Sequence, residues 1–217
     1  MSIAEKLVTV AENQKKIFDA GKQAEYDRFW DEFQEYGNRT NYSGAFSYGG
    51  WNDKTYNPKY TIRPSSCNNL FQANTAITDT KVAIDLTHPG GNQKFGLFNN
   101  ASKLVTIRKL IVNESTVFTT SAGNNSFSGC KALKNITFEG TIGRNIDFSD
   151  CPLSVESMVN VITHLAYYRG TENEYKYTVK FSDACWEALE NSDYDHTGHF
   201  AFGETWRDGC GYFGWNT

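Results

Sequence analysis

The sequence lacks the marks of membrane, nucleic-acid-binding and secreted proteins. It contains no run of about 18 apolar residues, the length that a bilayer-spanning helix requires. Its net charge is −4, whereas a nucleic-acid-binding surface needs an excess of basic residues to displace phosphate counterions. Its first residues show no basic segment followed by an apolar one, so no signal peptide is expected. We therefore expect no membrane insertion, no nucleic-acid partner and no secretion.

Motifs of metal sites and enzymes are missing as well. None of the five cysteines lies in a C-x-x-C pair, so we expect reduced thiols rather than a zinc or redox site. The four histidines form no H-E-x-x-H pattern, and the chain has no G-x-S-x-G, P-loop or dinucleotide-binding motif. The sequence thus predicts no catalytic residue, no cofactor and no enzyme.

The composition nevertheless provides enough apolar surface for a packed core. Hydrophobic residues make up 39% of the 217 residues and aromatic residues 15%, while charged residues account for 21%. This balance is not that of a disordered chain. The length suits one domain or two small ones.

Apolar residues at the N-terminus recur with the alternating spacing of a helical seam. They predict a helix to about Ala20, an interruption at Gly21 and a second helix that ends near Gly37. The seam either packs on the chain's own body or associates with other copies in a short coiled coil, where polar Gln14 would help fix register or chain number. Residues 1–37 are the proposed oligomerisation segment. The seam consists of Ile3, Leu7, Val10, Gln14 and Ile17.

Aromatic residues dominate the second helix and the segment that follows it. Tyr26, Phe29, Trp30 and Phe33 share one helical face, which we expect to be core. Residues 38–66 are rich in Asn, Tyr, Gly and Ser and predict an irregular connector with one or two short strands. Its Tyr and Trp side chains either staple it to the neighbouring domain, which we favour, or form a recognition surface.

Residues 67–153 contain a repeat. Its template is Phe, a small residue at +3, Leu or Ile at +6 and Ile at +9, and successive phenylalanines lie 27, 29 and 21 residues apart. These steps lie within or near the period of leucine-rich repeats, whose stacking buries a continuous column. The first unit departs from the template at Asn74 and Thr80. The expected column is Phe71, Phe98, Leu104, Ile107, Phe127, Cys130, Leu133, Ile136, Phe148 and Cys151.

The segment NSFSGCKALKNITFEG (125–140) resembles BspA-type leucine-rich repeats, in which an A-F-x-x-C-x-x-L-x-x-I core recurs. The N-terminal stretch MSIAEKLVTVAENQKKIFDAGKQAEYDRFWDEFQEYGNRTNY is similar to the helical start of phage and prophage structural proteins of Firmicutes. The stretches LSVESMVNVITHL, YTVKFSDACWEALE and GWNT are similar to the ends of the same proteins. The resemblance implies a virion component, tail- or fibre-associated, that exposes a repeat domain for contact.

Residues 154–217 are expected to cap the repeats. A helix from Ser154 to about Tyr167, a strand at 175–181 and a short helix after Ser182 would cover the open hydrophobic end and its strand edges.

A stretch near the C-terminus is a weak calcium candidate. Asp193, Asp195, Thr197 and Glu204 fall at positions 1, 3, 5 and 12 of an EF-hand loop. Threonine at position 5 and the Gly-rich sequence after Glu204 favour a polar surface turn instead. No metal site is therefore predicted, and calcium is kept as the alternative.

Together these patterns predict an α+β protein: a short leucine-rich-repeat-like solenoid with N-terminal helices and a C-terminal helix–strand–helix cap. The expected function is that of a non-enzymatic phage virion protein, assembled in the bacterial cytoplasm, that uses its repeat domain for host recognition or protein–protein contact. Expected partners are other virion proteins, further copies of the chain in a homo-oligomer such as a trimer, and a host-surface glycan or protein. The alternative function is a bacterial leucine-rich-repeat binding module of adhesin type.

Overall fold

A computed structural model of the chain describes residues 3–36, 42–87, 96–118, 125–165, 179–193 and 211–213. Helices and strands are mixed along these residues, so the predicted α+β class is confirmed. The elements are α1 (Ile3–Tyr36), a 3-10 helix (Tyr48–Gly50), β1 (Ala83–Asp85), β2 (Thr106–Val112), β3 (Asn135–Gly140), β4 (Ile146–Phe148), α2 (Val155–Thr163), β5 (Val179–Phe181), α3 (Asp183–Glu190) and β6 (Gly211–Phe213).

Helix α1 is continuous over 34 residues, and the predicted interruption at Gly21 is wrong. A glycine inside a helix costs about 1 kcal/mol relative to alanine, which is too little to end a helix among good helix formers. Residues 20 and 22–25, AKQAE, are such formers. The two helices expected from the sequence are therefore one.

Strands that are neighbours in sequence pair in parallel in the middle of the chain. Strands β1, β2 and β3 form one sheet in that order, with Ile84 opposite Leu110 and Leu110 opposite Phe138. Strand β2 has a bulge after Ile107. Ile107 pairs with Ile136 and Leu110 with Phe138, so β2 has one more residue between these pairs than β3 has. In the second sheet, β5 pairs in parallel with β4 and antiparallel with β6.

Six buried phenylalanines stack in one row through the body. Neighbouring ring centroids lie between 4.4 and 6.0 Å apart. We call the chain segment around each of these rings a coil. The row contains the four phenylalanines of the sequence repeat and extends it by one at each end. Its members are Phe46, Phe71, Phe98, Phe127, Phe148 and Phe181.

The core is continuous along the described residues. All ten residues predicted for the repeat column are buried, with at most 2% of each exposed. One hydrophobic cluster includes members from Trp30 to Leu189. It crosses the three boundaries placed at residues 37, 66 and 153, so the described parts of these four segments share one core.

Main-chain hydrogen bonds join the turns of the first four coils. In each case the phenylalanine N–H donates to the carbonyl oxygen of the residue that precedes the next phenylalanine. All of these bonds therefore run in one direction along the row. They are Phe46 to Leu70, Phe71 to Leu97 and Phe98 to Ser126, at 2.8, 2.6 and 2.9 Å.

Left-handed residues flank the rings of these turns. In the first three coils, the residues two positions before and two positions after the phenylalanine have positive φ. These six positions are Gly44, Tyr48, Asn69, Ala73, Gly96 and Asn100.

Helix α2 closes the edge of β3. The Ser157 hydroxyl accepts the N–H of Ile136 at 2.9 Å, and the Asn160 side-chain oxygen accepts the N–H of Phe138 at 2.6 Å. Two edge donors that a further strand would have paired are thus bound by a helix. The helix ends at Thr163 rather than near Tyr167.

The connector forms the first coil of the row, around Phe46. The ring of Trp30 on α1 lies 5.7 Å from Phe46 and 5.4 Å from Tyr56, and its Nε1 donates to the carbonyl of Thr55 at 2.8 Å. Aromatic residues therefore staple the connector to α1. Within residues 42–64, Ile62 makes a single bridge to β1 instead of the expected strands.

Candidate functional site

A polar groove of about 380 Å³ lies where the open face of β2 and β3 meets α2. Hydroxyl, amide and charged side chains make up most of its lining, and the described lining residues include no histidine or cysteine. The lining residues are Thr106, Ile107, Arg108, Asn135, Ile136, Thr137, Glu156, Ser157 and Asn160.

Arg108 is held in place at one wall of the groove. Its Nε and Nη2 donate to the Asp79 carboxylate at 2.9 and 2.5 Å, and this pairing raises the pKa of Arg108. Its main-chain N–H donates to the hydroxyl of buried Thr80 at 2.9 Å. Thr80 is one of the departures from the repeat template, and it binds the extra N–H that the bulge of β2 creates.

Charges of both signs cover the remainder of this face. The exposed side chain of Glu156 is part of the groove lining contributed by α2. Along the sheet, Arg63 pairs with Asp85 at 3.4 Å and Lys109 with Glu139 at 2.7 Å. Exposed pairs of this kind add little stability. The face is therefore suited to a polar ligand that bonds to both donors and acceptors.

Three buried cysteines form hydrogen bonds between coils. The thiol of Cys130 donates to the carbonyl of Phe98 at 3.0 Å, and that of Cys151 to the carbonyl of Phe127 at 3.4 Å. The thiol of Cys185 donates to the carbonyl of Cys151 at 3.3 Å. Contact with Cys130 and burial raise the pKa of the Cys151 thiol. As donors of buried hydrogen bonds between coils, the three thiols have a structural role.

Asn74 takes the same position in the second coil. Its side-chain NH₂ donates to the carbonyl of Phe46 at 2.9 Å, as the thiols do in later coils. Its oxygen accepts the N–H groups of Ala76 and Ile77, both at 2.9 Å. The polar residue that weakened the repeat pattern is thus a connection between coils.

The N-terminal half of α1 presents a second candidate surface. Residues 12–25 are all exposed, among them Gln14 and Ile17 of the predicted seam. Ile17 is 73% exposed and its neighbour Phe18 is 61% exposed, with the Lys22 ammonium 5.0 Å from the Phe18 ring centre. The described part of the body does not cover this part of the seam.

The calcium candidate lies mainly outside the described residues. Asp193 is exposed at the end of a described segment, whereas Asp195, Thr197 and Glu204 are not described. Across the described ranges, no three His, Cys, Asp or Glu side chains come close enough to hold a metal ion. Over the same ranges, no helix combines the length and apolar character needed to cross a membrane.

No protein-family model, curated protein or solved structure matches the chain. The groove and the exposed half of α1 are therefore the features from which function can be inferred.

Sequence reasoning missed Phe46 and Phe181 as members of the row, and Phe18 and Arg108 as surface features. A signal for Phe46 was present. It lies in G-A-F (44–46), which matches G-L-F at 96–98 and N-L-F at 69–71 in placing Gly or Asn two residues before the ring.

Proposed function

We propose that the chain is a non-enzymatic structural protein of a phage virion, tail- or fibre-associated, in which α1 carries a repeat body that contacts a polar partner. The observation that supports this most is the division of the molecule into two parts. Stacked coils form a body with a polar groove, and one long helix leaves residues 12–25 exposed.

The body is a short leucine-rich-repeat-like solenoid in this proposal. Three findings support it: the single row of six phenylalanines, the parallel order β1–β2–β3, and the hydrogen bonds from the phenylalanine N–H groups of the first three coils to the coil that follows. In such repeat bodies each unit contacts its neighbours and needs capping at the ends. Trp30 on α1 and the polar residues of α2 provide contacts of that kind.

The partner of the groove is a host-surface glycan or a polar protein segment. Arg108 and Asn135 offer donors, while Glu156 and Thr137 offer acceptors, so the lining can bind groups of either kind. Because Asp79 fixes the Arg108 side chain, this donor is oriented before a ligand arrives. A few placed polar groups of this type set the orientation of a bound ligand.

The virion assignment rests on the resemblance of both ends of the chain to phage structural proteins. Phage particles purified on a density gradient should contain peptides of this chain in constant ratio to capsid peptides, as measured by mass spectrometry. Particles that contain capsid peptides but none of this chain would overturn the assignment. Recovery in the bacterial cell-wall fraction instead would favour the adhesin-type module.

The contact role can be tested separately with the purified full chain. The affinity for isolated host envelopes should fall at least about tenfold when Arg108 and Asn135 are both replaced by alanine, since both substitutions remove donors from the groove. A tenfold loss corresponds to about 1.4 kcal/mol of binding free energy. Replacement of exposed Lys103 and Lys131, which lie outside the groove lining, is the matched control. Equal binding by both double variants would exclude the groove as the contact surface.

A further inference from the structure

We infer that the exposed face of α1 binds the same face of other copies, in a parallel bundle of at least three chains with the bodies outside it. The inference rests on the proposed function, in which α1 carries the body. It adds the identity of the partner, the orientation of the chains and their minimum number.

The described part of the body leaves residues 12–25 of α1 exposed. Tyr26 and Trp30 turn toward the body, where their rings lie 5.8 Å from Trp51 and 5.7 Å from Phe46. At about 100° per residue, Gln14 and Ile17 lie roughly 170° around the helix from that pair. Since the two faces are on opposite sides of one continuous helix, the described part of the body leaves the second face open to a partner.

A second copy fits this face because the face is a heptad seam. In the heptad notation that places Leu7 and Gln14 at position a, Ile3, Val10 and Ile17 fall at position d. The uninterrupted helix keeps all five in line. Such a seam is self-complementary: each side chain at a or d inserts between side chains of an identical helix.

The width of the seam indicates more than two chains. Leucine at a with β-branched residues at d shifts the preference from dimers to trimers or tetramers. Phe18 adds a third apolar position next to Ile17, and its ring is 61% exposed. A stripe that includes a, d and a flanking position reaches two neighbours rather than one.

Gln14 determines the orientation. In a parallel bundle in register, the Gln14 side chains of all copies meet in one layer, where each amide can both donate and accept. In an antiparallel arrangement, position a meets position d, and Gln14 would face Val10 or Ile17. An amide in such an apolar layer would have no partner, which is unfavourable.

Light scattering on the full chain in solution tests the inference. The wild-type protein should have at least three times the chain mass of 24.5 kDa, and Ile17→Asp should return it to that mass. Lys16→Asp adds the same side chain one residue away, outside the seam, and should leave the assembly intact. Circular dichroism checks that the body of each variant remains folded.

Cross-linking tests the orientation. Under a mild oxidant, Gln14→Cys should form disulfide-linked chains, because two Gln14 positions share a layer only in the parallel bundle. Lys16→Cys, on the outer side of the helix, should not.

A wild-type monomer, a mass unchanged by Ile17→Asp, a plain dimer, or no cross-link through position 14 would each overturn the inference. A monomer that is nevertheless present in purified phage particles would refute the bundle and support the proposed function. An oligomer that is absent from the particles would support the bundle and refute the proposed function.

Discussion

Replacing Asn74 with alanine should destabilise the body by much more than the loss of a small side chain suggests. The Asn74 amide makes four hydrogen bonds, and those to the Phe46 carbonyl and the Ile77 N–H are buried. Each buried group left without a partner costs roughly 2 kcal/mol. We therefore expect the free energy of unfolding to fall by about 4 kcal/mol.

Two further variants make this prediction specific. Cys130→Ala removes one weak thiol bond to Phe98 and the volume of one sulfur atom, for which we expect a loss of about 1 kcal/mol. Asn74→Cys restores a donor for the Phe46 carbonyl but no acceptor for Ile77, so its loss should be intermediate. The expected order of destabilisation is Cys130→Ala, then Asn74→Cys, then Asn74→Ala.

Urea unfolding followed by tryptophan fluorescence measures the three losses. The rings of Trp30 and Trp51 lie 5.7 and 5.8 Å from the ring of Phe46, so their emission reports on the first coil. In thermal unfolding, 1 kcal/mol corresponds to a shift of about 2–4 °C for a chain of this length, so Asn74→Ala should lower Tm by about 8–16 °C. If Asn74→Ala proved as mild as Cys130→Ala, the claim that the amide joins the coils would be refuted.

Three other variants have definite expectations. Gly140→Ala should lower the free energy of unfolding by about 2 kcal/mol or more, because the residue has φ +92° and the new Cβ would lie 2.1 Å from the Val112 carbonyl oxygen. Gly49→Ala is the control: a Cβ there would have no atom within 4 Å, so the urea midpoint should change little. The pKa of Asp85 is lowered: burial opposes this, but hydrogen bonds from a threonine and an arginine outweigh it. That stabilisation is present above the unfolded pKa of about 3.9 and is lost as pH falls through the folded pKa. Asp85→Asn should therefore lower the free energy of unfolding by under about 1 kcal/mol at neutral pH and leave it unchanged in acid. An equal loss at both pH values would contradict this. Burial and a nearby aspartate raise the pKa of Tyr56. Its contribution to the free energy of unfolding is therefore complete below about pH 10 and is lost above it. Tyr56→Phe should reduce the loss of stability at alkaline pH, and an unchanged dependence of stability on pH in that range would contradict this.

The inner repeat positions could be predicted because their pattern is local. In the units of Phe98 and Phe127, the spacing of apolar residues alone identifies side chains that are 0–2% exposed. The outer rings were not found, because their coils lack the template. After Phe46 the positions +6 and +9 are Asn52 and Thr55, and after Phe181 the chain enters helix α3.

The polar positions of the second coil were misjudged for a different reason. Asn74 and Thr80 lie where the template has a small residue and an isoleucine, so the sequence suggests a degenerate unit. Their roles depend on main-chain groups of other coils, the Phe46 carbonyl and the Arg108 N–H. Hydrophobic spacing contains no information about which main-chain groups need a partner.

The groove could not be predicted either, because its parts are far apart in sequence. Asp79, Arg108 and Glu156 belong to different coils or to α2, and they meet only after the coils have stacked. The seam of α1, by contrast, was visible from spacing alone. Its continuity past Gly21 and the opposite placement of the body were the features that the structure added.

The hydrogen bonds at the phenylalanine turns give this part of the body the character of a polymer with a fixed direction. The N–H groups of Phe46, Phe71 and Phe98 each donate to a carbonyl oxygen of the following coil. A chain that gained or lost one of these coils would keep matching partners at the turns on both sides of the change. The two ends of the row, at Phe46 beside Trp30 and at Phe181, would be untouched. Length is therefore the property of this body that can vary with least disturbance, and the distance between the helix and the far end of the body can change in whole steps.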